Sequence, residues 1–149
     1  MSRYVTFTLD EATYGIDVLR VQEALTARPR TRVPLAPGDV AGLVNLRGQV
    51  VLALDLRTRL GLPPRGEKEP MMIVVHVDGE PVSLLVDAVG DVVDAGPDSF
   101  EEPPATLDPA LRALVRGAHK LEDRLLLVLD VDATVAPQPS RTALTEELR

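Results

Sequence analysis

The sequence contains no cysteine, no tryptophan, two histidines, two tyrosines and two phenylalanines in 149 residues. Without cysteine there can be no disulfide framework and no thiolate metal site. His76 and His119 are the only neutral-pH bases and do not form a pair at metal-ligand spacing. No Gly-x-Ser-x-Gly elbow and no phosphate-loop glycine cluster occurs, so no catalytic centre, metal or cofactor is expected. Apolar runs stop after about five residues, too few for a transmembrane helix. Met1-Ser2-Arg3-Tyr4 leads straight into a strand pattern without the apolar core of a signal peptide, so a cytoplasmic protein is expected. A net charge of −7 opposes sequence-independent binding to nucleic acid or anionic lipid. Single-stranded nucleic acid would need a basic groove with stacking aromatics, and neither is expected here.

What the chain does have is a repeat. Gly42 is followed by Leu46, a turn, the apolar run Val50–Leu54 and Asp55; Gly117 is followed by Leu121, a turn, Leu125–Leu129 and Asp130. Upstream of each block stands a strand pair, Tyr4–Leu9 with Tyr14–Val18 and Met71–Val77 with Val82–Val86, and each leads to a carboxylate, Asp17 or Asp87. Two related β-units leave a seam between them, a natural docking site. The 45% hydrophobic content suffices for a packed interior, built of Val, Leu and Ala because aromatics are scarce. The length fits one domain, or two very small subdomains sharing a core.

Val5, Phe7 and Leu9 alternate with threonines, and Tyr14, Ile16 and Val18 with Gly15 and Asp17, the period of half-buried strands. Arg47-Gly48 and Asp78-Gly79 read as tight turns between strands. Pro63 to Pro70 is rich in breakers and is the expected joint between halves, with a first barrel mainly over 1–62 and a second mainly over 71–135, strands being exchangeable between them. Asp108-Pro109 is a helix start, Thr58–Leu62 a helical turn, and Arg124–Val131 the last strand. The tail 138–149 reads as loose, with a possible turn over Thr142–Leu148. Many short strands with little helix indicate a small barrel pair or a β-sandwich.

His76 lies between Val75 and Val77 and is expected to be half-buried, whereas His119, beside Lys120, is expected to be exposed. Asp55, Asp130 and Asp132 follow apolar strands, where carboxylates either serve catalysis or end the strand by accepting backbone bonds; the second is favoured. A hydrolase would lose its turnover in Asp55→Asn. Glu23 and Arg47 are an opposite-charge candidate pair, or else two separately solvated charges.

Phe7-x-Leu9, Tyr14-Gly15-Ile16-Asp17-Val18, Val21-Gln22-Glu23, Gly42-Leu43-Val44-Asn45-Leu46-Arg47-Gly48 and Asp55-Leu56-Arg57 resemble the bacterial chemotaxis coupling protein family CheW. Leu85-Val86-Asp87-x-Val89 and Leu129-Asp130-Val131 follow in that family's order, so the likeness runs from about Tyr4 to Val135. The resemblance implies two five-stranded SH3-like β-barrels related by a pseudo-twofold, with short helical segments. It implies a non-catalytic adaptor joining the cytoplasmic tip of methyl-accepting chemoreceptors to the regulatory domain of the histidine kinase CheA in receptor arrays. A CheW-like adaptor of a non-flagellar chemosensory pathway is the alternative. By the same resemblance Val5, Val18, Val21, Val86 and Val89 line a receptor groove with Ala24 at its margin, a helix-in-groove arrangement. Glu23 and Arg47 match a charged pair that holds this surface, and Gly42 and Gly48 match turn positions. Kinase contact is placed on Asn45, Leu46, Asp55 and Arg57. Two departures stand out: Leu52 where the family often has proline, implying a more regular strand, and the small Ala24, implying an altered receptor contact. No appended receiver domain is expected, which argues against coupling variants with their own phosphorylation site.

Overall fold

The computed structural model describes residues 2–66 and 68–136. Expectations for the tail 138–149 lie outside the described residues. Among the described residues, twelve strands form two six-stranded sheets. In chain order they are β1 (Ser2–Leu9), β2 (Ala12–Asp17), β3 (Val21–Thr26), β4 (Arg30–Thr31), β5 (Val40–Leu46), β6 (Gln49–Asp55), β7 (Met71–Val77), β8 (Glu80–Val86), β9 (Ala88–Ala95), β10 (Phe100–Glu101), β11 (Val115–Lys120) and β12 (Leu125–Leu129). Three short helices, α1 (Leu56–Arg59), α2 (Pro109–Arg112) and α3 (Val131–Val135), complete the fold. None of them is long and apolar enough to cross a membrane.

One sheet runs β9-β1-β2-β12-β11-β10 and the other β3-β7-β8-β6-β5-β4. Each strand of the first has its counterpart six strands away in the second, so the repeat read from Gly42 and Gly117 spans the whole chain. Only residues 27–29 separate β3 from β4, although these strands stand at opposite ends of their sheet. The sheet therefore curls and brings its ends near one another without pairing β3 to β4, and β9 and β10, joined by residues 96–99, bring the other round in the same way. Each barrel has five principal strands plus a two-residue one, β4 or β10.

The barrels do not divide at residues 63–70. The β1–β2 hairpin joins the strands of the second half, β2 pairing in parallel with β12, while the β7–β8 hairpin joins those of the first half, β8 pairing in parallel with β6. The segment 63–70 links α1 to β7 within one barrel's share of the chain. The crossings between barrels fall at Val18–Arg20, a 3-10 turn, and at Asp87.

Both faces of the middle strands are buried, which explains the near-continuous apolar runs of β7 and β12. A central core draws on both sheets, with Phe7, Ile16 and Leu127 from one and Ile73, Leu84 and Val86 from the other. Two smaller clusters belong to single sheets: Val44, Val51, Met72 and Leu85 in one, Tyr4, Leu126 and Val128 in the other. Sharing the largest core makes the two barrels one cooperative unit.

Glycine and aspartate recur for the same reasons in both repeats. Each glycine sits at a bulge where the short strand crosses close: a Cβ on Gly42 would lie 2.5 Å from the Thr31 carbonyl oxygen, and one on Gly117 would lie 2.6 Å from that of Glu101. Asp55 caps α1 by accepting from the Arg57 N–H, and Asp130 caps α3 by accepting from the Ala133 N–H. These carboxylates end their strands by capping helices, as the sequence favours. α3, by contrast, begins inside the expected strand Arg124–Val131. Asp108 and Pro109 start α2, with the Asp108 carboxylate accepting from the Ala110 N–H at 2.9 Å. Leu52 lies inside regular β6, paired with Leu43 and Val82.

Candidate functional site

The seam between barrels is built by the two crossings. Asp17 caps the 3-10 turn by accepting from the Leu19 N–H at 2.9 Å, and the turn throws Leu19 outward, 85% exposed. Val18 and Leu19 line a concavity of about 400 Å³ with Arg3, Asp17 and Asp94. Arg3 closes its rim by donating from Nε to Asp94 at 2.8 Å. Leu19, Arg3 and Asp94 carried no expectation from the sequence. The signal available for Leu19 was an apolar residue two positions after a capping aspartate, where no strand period applies.

The expected groove residues divide into three groups. Val18, Val21 and Val89 are half-buried at the margin of the central core. Val86 is fully buried and Val5 nearly so, packed within that core. These two form the floor beneath the seam and are not open to a partner, because β1 and β8 are interior strands covered on both faces. Ala24 projects from the exposed face of β3 with Gln22 and Thr26.

Glu23 and Arg47 meet. The guanidinium engages both carboxylate oxygens, tying β3 to the β5–β6 turn. Arg47 has φ 52° and Gly48 φ 85°, and the Asn45 carboxamide accepts from the Gly48 N–H at 2.9 Å. The hydrogen bonds from Arg47 hold the Glu23 carboxyl down at about 2, against the opposing effect of burial. Arg47 itself is two-thirds exposed while Glu23 is largely covered.

Of the residues placed at the kinase contact, Asn45 alone is exposed. Leu46 is buried in the one-sheet cluster. Asp55 caps α1 and takes a 3.3 Å contact from Arg65. Arg57 is spent inside the molecule: it donates twice to Asp87 at 2.9 Å, once to Asp10 and once to the Pro63 carbonyl at 2.8 Å. The Asp10 N–H also donates to Asp87 at 2.9 Å. Burial opposes the charge on Asp87, yet the Arg57 hydrogen bonds, the Asp10 N–H and the positive charge of Arg57 and Arg65 hold its carboxyl below the usual range. At the equivalent place in the other repeat, Asp132 of α3 accepts from Arg20 at 2.7 Å, and Arg20 also donates to the His76 carbonyl at 2.8 Å. Both crossings are thus pinned by an arginine–aspartate lock, with the helix supplying arginine in one and aspartate in the other.

The histidines reverse their expected exposures. His76 lies near the end of β7 and is exposed. His119 is 2% exposed because Phe100 of β10 and Tyr4 cover its ring. Ser99 donates its hydroxyl hydrogen to the Gly96 carbonyl, so it accepts from His119 Nδ1 at 2.8 Å, leaving Nε2 to accept from Tyr4. Burial lowers the His119 pKa and keeps this neutral tautomer.

Residues 3–137 match the CheW-like domain. The chemotaxis protein CheW of Rhizobium meliloti is 30% identical over 93% of this chain and 90% of its own length. The chemotaxis protein CheW of Bacillus subtilis is 28% identical over 97% of this chain and 94% of its own length. In structure, the scaffolding protein TtCheW from Thermoanaerobacter tengcongensis matches with a TM-score of 0.78 and 33% identity, covering 87% of this chain and 88% of that one.

Proposed function

The chain belongs to the CheW-like family, and from that membership we infer that it is a scaffold of chemotaxis signalling. Its finer task is to bridge the cytoplasmic tip of a methyl-accepting chemoreceptor and the regulatory domain of a CheA-type histidine kinase in a receptor array, without catalysing a reaction itself. The match over nearly the whole chain is the observation that carries this reading. The seam supplies a physical means. Val18, Val21, Val89 and the exposed Leu19 offer a shallow apolar surface on rigid strand ends, suited to one face of a receptor helix. The β5–β6 hairpin, where Asn45 and the 67%-exposed Val50 face outward, supports kinase contact in place of the buried Leu46 and Arg57.

Kinase autophosphorylation with receptor-containing membranes tests the bridge, with this protein present and absent. Unchanged receptor control in its absence refutes it. Leu19→Glu, at an exposed position, keeps the fold and puts a charge into the apolar contact, costing about 2 kcal/mol of receptor binding. Val21→Glu acts in the same direction. Undiminished receptor affinity in a folded Leu19→Glu protein removes the seam as the receptor site.

A further inference from the structure

A basic concavity at the β4 end of its sheet shares no lining residue with the seam concavity. Arg28, Arg30 and Arg32 line this concavity of about 540 Å³, with Glu69 as its acidic wall among the described residues. This overturns the expectation that the chain has no basic groove. None of the three guanidiniums closes a salt bridge among the described residues; Arg30 reaches only the Arg28 carbonyl, at 3.5 Å. Arg28 lies close enough to Glu23 to help hold its carboxyl down, and Glu69 stands in the wall, but three like charges together still exceed the acidic groups facing them, which marks the cluster as a surface for something outside the molecule.

The backbone here is a strand edge. β3 pairs with β7 as far as Thr26 and Met71, and the Ala27 N–H still donates to the Pro70 carbonyl. Beyond that point the paths diverge. β4 pairs with β5 on one side only, and its other side opens onto the concavity. β4 itself covers only Arg30 and Thr31, with Arg28 and Arg32 flanking it at alternate positions; along an extended partner chain alternate residues share a face about 6.6 Å apart, so carboxylates at every second position match this order.

We propose that the β4 edge docks an extended acidic segment of a partner protein, whose carboxylates alternate along the chain and pair with Arg28, Arg30 and Arg32. The partner's main chain adds to the sheet and its charges set the register. Nucleic acid fits the site less well, because the remaining walls are Ala27, Pro29 and Ala41, with no aromatic ring on which a base could stack. An anionic membrane is disfavoured by the net charge of −7.

Fluorescence anisotropy with a labelled peptide of alternating glutamate and valine tests the proposal, beside an isomer whose glutamates are contiguous. The alternating peptide binds better than its isomer. The triple variant Arg28→Gln, Arg30→Gln, Arg32→Gln, which changes only exposed side chains, weakens it by about tenfold or more while leaving the circular dichroism spectrum unchanged. Equal binding by the triple variant, or equal binding of the two isomers, overturns the proposal. Tighter binding of a thymidine oligonucleotide would assign the surface to nucleic acid instead. Self-association in sedimentation that the triple variant abolishes, without any peptide binding, would assign it to a second copy, and either result also overturns the proposal.

Discussion

Arg57→Met removes the guanidinium from the lock at one crossing while keeping most of the side chain's bulk. The side chain is 12% exposed and its principal partner Asp87 is 21% exposed. Its two bonds to Asp87 are charge-assisted, and bonds of that kind contribute about 1.5–3 kcal/mol each when shielded. Breaking one side of a buried pair costs about 3–5 kcal/mol in full burial. Two features reduce that figure here. Asp10 is half exposed and loses little, and Arg65, 3.4 Å from Asp87, remains to offset the stranded charge. The expected loss is about 2–3 kcal/mol. With a urea slope of about 1.5–2 kcal/mol per molar, the unfolding midpoint falls by about 1.5 M. A double-mutant cycle with Asp87→Asn should show coupling of at least about 1 kcal/mol. A midpoint shift equivalent to less than about 0.5 kcal/mol, or additive single effects, would refute the view that this lock holds the crossing.

The same lock sets an acid limit. Because Asp87 is held below its unfolded value of about 3.9, its stabilisation is intact above that pH and is lost as pH falls through the lower folded value. The stability deficit of Arg57→Met should therefore be full above about pH 4 and shrink as the pH falls further, as read by urea unfolding followed by circular dichroism at a series of pH values. His119 acts in a different window: its folded pKa lies below the unfolded value of about 6.5, so stability declines as pH drops beneath that value, and His119→Gln should flatten the decline. Gly42→Ala forces a Cβ against the Thr31 carbonyl at a φ of 142° and should cost about 3 kcal/mol, whereas Gly48→Ala, in open space at φ 85°, should cost about 1 kcal/mol by thermal unfolding.

Where a local period or a local contact decided the structure, the sequence was readable. β1, β2, β7 and β8 form where their strand patterns stand, although both faces of their middles are covered, Asp78-Gly79 forms its turn, and Asp108-Pro109 starts a helix because each signal acts within a few residues. β3 and β9 escaped notice. β3 mixes Gln22, Glu23 and Thr26 into a bulged strand, and β9 carries Gly90, Asp91 and Asp94 on exposed positions, so partners distant in sequence specify them instead of propensity. The site was legible only in part for the same reason. Charge alone suggested Glu23 and Arg47, and they meet, but nothing near Val86 in sequence reveals that both faces of β8 are covered. His119 illustrates the limit from the other side, since Tyr4 and Phe100, which bury it, come from remote strands.

The traded hairpins have a consequence for descent. One repeat alone, such as residues 2–62, holds a β1–β2 hairpin and a β3–β6 unit that never pair with each other across its own sheet. A gene encoding a single repeat could complete its sheets only as a twofold homodimer, each copy lending its hairpin to the other. Duplication and fusion through residues 63–70 would turn that dimer into one polypeptide. The opposed locks, Arg57 at one crossing and Asp132 at the other, are where the two repeats depart from strict symmetry.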